Sequence, residues 1–120
     1  VIRRLFLAAC ILLAACDGNP EEPEPPGHQI ANARACLSCH TTDGSTSTAP
    51  TWKGLYGSKV ELDDGTKVIA DEPYLRESML QPSAKTVKGF EKGLMETVIR
   101  PNSLQPREIR ALIDYIKSLR

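Results

Sequence analysis

Five consecutive residues, Cys36-Leu37-Ser38-Cys39-His40, constrain this 120-residue chain more than the rest of it together. Two thiols at this spacing followed directly by an imidazole match the attachment pattern of c-type haem. The cysteines can form thioethers with the porphyrin vinyl groups while His40 reaches the iron as an axial ligand. A chain so marked is expected to fold around a flat, mostly apolar group. The alternatives are a redox dithiol, half of a zinc site, or chance. A thioredoxin-like dithiol belongs in a βαβ pattern and structural zinc needs four ligands. The chain offers neither context, its other cysteines being Cys10 and Cys16 and its other histidine His28.

Haem is attached to such motifs outside the cytoplasm, so an export signal is an independent check. Arg3 and Arg4 form a positive n-region, residues 5–15 a short apolar h-region, and small residues precede Cys16. The expectation is a signal peptide over residues 1–15, too short to span a bilayer comfortably. Leu13-Ala14-Ala15-Cys16 is similar to a bacterial lipobox, which makes Cys16 the expected lipidated residue; the alternative is an ordinary cleaved signal with Cys16 incidental. Several acyl chains anchor stably where one is marginal. Asp17 resembles an inner-membrane retention signal, so the expected place is the periplasmic side of a bacterial inner membrane.

Residues 17–26 hold four prolines and four acidic side chains and no large apolar one, the composition of an extended tether. Residues 16–26 are therefore expected to be a spacer, and residues 27–120 one small domain. Its aromatic residues are only Trp52, Tyr56, Tyr74, Phe90 and Tyr115. So thin a core needs the apolar volume of a porphyrin, and the apo form is expected to fold poorly. Over residues 27–120 thirteen basic side chains face eleven acidic ones, too even a balance for nucleic acid. Lys85, Lys88 and Lys92 are either a basic rim that steers an acidic redox partner or a solvated loop.

The pattern is helical with little sheet, an all-α class. A first helix is expected over residues 28–39 and a loop over 41–50, rich in Ser, Thr and Gly. Alternation about Asp64-Gly65 suggests a small hairpin over residues 59–71. Asp71 can cap a helix with Pro73 in its first turn, ending before Pro82. Ile109, Leu112, Ile113, Ile116 and Leu119 stripe a last helix over residues 106–119.

An electron-carrying haem iron wants a sixth ligand, and a thioether raises its potential. Met79 reads as core within the helix of residues 72–81. Met95 reads as a loop residue able to fold over the other haem face, and is the favoured ligand; a methionine is otherwise most often a core gap-filler.

From Gly27 onward the chain resembles class I monohaem cytochromes c, and more narrowly the cytochrome c domain fused to subunit II of some bacterial haem-copper oxidases. The resemblance rests on Gly27-x-x-Ile30 ahead of the motif, the motif itself, Ala49-Pro50-x-Trp52-x-Gly54-Leu55-Tyr56-Gly57, and Asp64-Gly65-x-x-Val68-x-Ala70-Asp71-Glu72-x-Tyr74-Leu75. It continues through Gly89-Phe90 to Met95 and Leu112-Ile113-x-Tyr115-Ile116-Lys117-Ser118-Leu119. It implies a fold in which the first and last helices cross, with Tyr115 on small residues of the first. It implies that the Pro50 carbonyl accepts the His40 proton, that Trp52 lines the haem edge near a propionate, and that Tyr56 belongs to the haem environment. Two positions depart from the family: Glu96 follows Met95 where proline is usual, and Gln105 stands where Ser or Thr usually caps the last helix. No transmembrane pair or copper-binding cysteine cluster precedes the domain, so the expectation is the same module detached on a lipid anchor.

The function so implied is one-electron transfer to or from a membrane-bound oxidase or dehydrogenase by a monomer with one covalent haem c. No nucleophile, acid-base pair or second metal site stands at a meaningful spacing, so no catalytic residue, small-molecule substrate or nucleic acid is expected. Two other classes remain: a five-coordinate haem enzyme or gas sensor for peroxide, NO or CO, if Met95 does not ligate, and a thiol oxidoreductase of Cys36 and Cys39.

Overall fold

The stripe of isoleucine and leucine near the C-terminus organises the core. In the computed structural model, which describes residues 23–120, it forms one face of helix α4 (Pro106–Ser118), and Ile109, Leu112, Ile113 and Ile116 are all buried. Each such side chain withdrawn from water contributes roughly 1.5–3 kcal/mol. The expected signal peptide, Cys16 and the tether up to residue 22 lie outside the described residues.

Helix α1 (Pro26–Ala33) packs on α4 through Gly27. A Cβ there would lie 2.2 Å from the Ala111 carbonyl oxygen and 2.4 Å from Tyr115 Cβ, so only glycine permits this approach. Tyr115 also meets the His28 ring edge-on at 5.4 Å. The helix begins with Pro26 in its first turn, inside the stretch expected to be tether. Glu24 is tied back as well, by His28 Nδ1 at 2.8 Å and by Gln29, which donates to its carbonyl at 2.9 Å.

The expected helix over residues 28–39 is broken. It stops at Ala33, Ala35 takes a left-handed backbone (φ 57°), and Cys36–Ser38 form a separate 3₁₀ turn. No glycine marks the break, so nothing in the composition betrays it. The Ser38 hydroxyl donates to the Ala35 carbonyl at 2.6 Å and helps offset the left-handed penalty of about 1–2 kcal/mol.

The hairpin is β1 (Lys59–Glu61) against β2 (Lys67–Ile69), antiparallel with Val60 opposite Val68. Helix α2 (Glu72–Leu80) follows, capped by the Asp71 carboxylate accepting the Tyr74 N–H at 2.9 Å. A five-residue helix α3 (Leu94–Val98) precedes α4, so Met95 is helical rather than in a loop. At the start of α4 the Gln105 N–H donates to the Glu108 carboxylate at 2.7 Å, which supplements the weak cap. The same carboxylate receives Arg34 at 2.7 and 2.9 Å and so joins the end of α1 to the start of α4. The domain is thus mostly helical, with four helices and a two-stranded sheet. No helix among the described residues is long and apolar enough to cross a membrane.

Candidate haem site

One apolar cavity gathers the residues singled out by the motif. Cys36, Cys39 and His40 line it from the 3₁₀ turn, Leu112 and Ile116 from α4, and Met95 from α3. Cys36 is buried and Cys39 partly so, and both are free thiols. Burial pushes the Cys36 thiol above its ordinary range, against an opposing pull from a backbone hydrogen bond and the Arg34 charge.

The geometry of His40 fixes its protonation. Burial lowers its pKa, so the neutral imidazole is favoured, and Nδ1 donates to the Pro50 carbonyl at 2.7 Å. The loop before Pro50 delivers that carbonyl because Thr41 and Trp52 are laced together, the Trp52 N–H donating to the Thr41 carbonyl at 2.7 Å. With Nδ1 engaged as a donor, the lone pair is left on Nε2, the arrangement an iron ligand needs. Trp52 stacks on the His40 ring at 5.0 Å and touches Tyr115 edge-on at 6.2 Å, which holds the imidazole plane.

The cytochrome c family profile matches residues 25–120, nearly the whole described chain. The chain belongs to the cytochrome c family. A search of the curated proteins finds no match. Membership carries a covalently bound haem c and the role of a haem-binding electron carrier. The cavity fits that group: two unbridged thiols and an imidazole with its second nitrogen uncommitted share one apolar wall.

Pro50 and Trp52 both line this cytochrome's cavity. Tyr56, which the resemblance assigns to the haem environment, is not among the residues that line it. Its neighbour Leu55 faces the cavity, whereas Tyr56 is 40% exposed and packs beneath Lys117, whose Nζ sits 4.9 Å from the ring centre. Gly54 and Gly57, both at positive φ, bracket this turn.

Met79 is more than core. It is 5% exposed within the main hydrophobic cluster, and it also lines the cavity, as Met95 does. Residues 74, 75, 78 and 79 of α2 all do so, a spacing that marks one helical face and was available in the sequence. Tyr74 and Leu75, quoted above only as part of the family likeness, therefore line the site as well. The Arg34–Glu108 pair, which braces the segment just before Cys36, carries no local signal at all, its partners being 74 positions apart.

Proposed function

We propose that this cytochrome c domain is a monomeric carrier of single electrons, held on the periplasmic side of the membrane through lipidated Cys16 and serving a membrane-bound redox complex. Its carrying observation is the convergence of both thiols, His40 and Met95 on one apolar cavity. In this reading Cys36 and Cys39 would hold the porphyrin and His40 Nε2 would be one iron ligand. Met95 is preferred over Met79 as the other because Met79 belongs to the buried packing of α2, whereas the Met95 thioether stands outside that cluster.

Haem c supplies reversible one-electron exchange. The protein's part is to hold it. Pro50 keeps the His40 proton on Nδ1, Leu75, Met79 and Ile116 present an apolar wall that would keep water from the haem, and Met95 would ligate the iron and so exclude small molecules. The close contact of Gly27 with Ala111 supports the crossing of α1 and α4 typical of class I. The likeness of the quoted motifs to oxidase subunit II favours a terminal oxidase as partner.

A visible spectrum of the haem-loaded protein tests the ligand set. A low-spin spectrum with a methionine-to-iron charge-transfer band is expected, and rapid CO binding by the reduced protein would instead indicate an enzyme or sensor. Membrane fractionation of Cys16→Ala tests the anchor: the membrane pool should shift to the soluble fraction, and an unchanged pool refutes lipidation.

A further inference from the structure

Glu96 stands where the family usually places proline, and the backbone shows what accompanies the exchange. Met95 is the second residue of α3, and the Glu96 N–H donates to the Gly93 carbonyl at 3.2 Å. Proline at 96 would lack that donor and would disfavour a helical backbone at Met95. So α3 must be fastened by other means.

Its downstream end is fixed in the core. Ile99 and Leu104 are buried, and the Asn102 N–H donates to the Leu80 carbonyl at the end of α2 at 2.9 Å. The upstream end instead pivots on Gly93, at φ 77°, after exposed Glu91 and Lys92. Among the described residues a single hydrogen bond joins the side chains of α3 to another element: the Ser83 hydroxyl donates to the Glu96 carboxylate. Ser83 is well placed for it. It follows Pro82, which is buried and lines the cavity, and its Oγ lies 3.9 Å from where a Cβ on Gly93 would stand.

We infer that the Ser83–Glu96 hydrogen bond is the clasp that keeps Met95 directed at the haem iron, doing through a side chain what proline does through its ring. The inference rests on Met95 being the axial ligand. Neither clasp residue lines the cavity, so both act as positioning residues through Met95. For an external ligand to take the place of Met95, the upstream end of α3 must swing away from the turn at Ser83 that follows α2. Breaking the clasp enlarges the open population in proportion.

Imidazole titration of the haem-loaded protein, followed in the visible spectrum, reads that population. Ser83→Ala and Glu96→Ala should each tighten imidazole binding about fivefold, the effect of one hydrogen bond of ordinary net strength. The double variant should add little to either single one, because both remove the same bond. Glu96→Gln retains an oxygen acceptor and should stay within about twofold of the wild type. Asp114→Ala, an exposed charge removed from α4, should leave binding unchanged. Exchange of the Ile99 amide, which donates to the Met95 carbonyl at 2.9 Å, should accelerate in Ser83→Ala and Glu96→Ala alone.

Met95→Ala separates the two levels of the argument. If the charge-transfer band survives in Met95→Ala, the ligand assignment fails and the clasp with it. If the band is lost there but Ser83→Ala and Glu96→Ala bind imidazole as the wild type does, the clasp alone is refuted.

Discussion

On the histidine side of the cavity α1 and α4 meet backbone to backbone at Gly27, Arg34 is clamped by two oxygens of Glu108, and four aliphatic side chains of α4 are sealed from water. On the methionine side α3 has five residues, buries none of them, and borrows one side-chain hydrogen bond from Ser83. The difference is one of dependence. The first region packs against itself and can hold its shape with polypeptide contacts, whereas the second has the cavity for a core. It draws its order from whatever fills that space.

Preventing haem attachment should therefore break the symmetry most visibly. A Cys36→Ser/Cys39→Ser chain is expected to lose its cooperative thermal transition, with residual helix and amide protection confined to α4 and α1. Equal protection of α3 and α4 in that chain would erase the contrast. Next in size, Gly27→Ala in the haem-loaded protein should cost about 3 kcal/mol in denaturant unfolding, because the added methyl meets a backbone oxygen that cannot yield cheaply.

Glu108 gives a smaller effect with a pH signature. Its carboxyl lies below its ordinary range, through the Gln105 N–H first and Arg34 second. A depressed carboxylate contributes stability that is full above its unfolded pKa and is lost as pH falls through the folded one. Glu108→Ala should cost about 1 kcal/mol near neutrality. The gap between wild type and variant should close on acidification below about pH 4, the unfolded carboxylate range; a gap independent of pH would mean that the charge contributes nothing. Smallest of all, Lys92→Ala, an exposed residue just ahead of α3 that does not line the cavity, should change global stability by less than about 0.5 kcal/mol. A larger loss would show the methionine side to be better packed than its exposure indicates.

The two regions also differ in how far the sequence discloses them. The motif, the Asp64-Gly65 turn, the Asp71 cap and the α4 stripe are local patterns, and each appears where its residues indicate. The Pro50 carbonyl had to come from family resemblance, since a backbone acceptor leaves no side-chain mark. What stayed hidden was long-range or backbone-borne: the left-handed turn at Ala35, the Arg34–Glu108 clamp, and the facing of Leu55 rather than Tyr56. Met79 illustrates a third limit. Helical periodicity says that it is buried, but core and cofactor pocket share that face, so burial alone does not tell them apart.

The span of the Arg34–Glu108 clamp bears on how the cavity forms. The entropy of closing a loop grows only with the logarithm of its length, so the packing of α4 on α1 can meet the cost of a contact 74 positions apart without the cofactor. Until α4 docks, the segment carrying Cys36, Cys39 and His40 has no roof of Leu112 and Ile116 above it. Once it docks, those two side chains wall the cavity beside the thiols, so the pairing of α1 with α4 shapes the space that haem c fills.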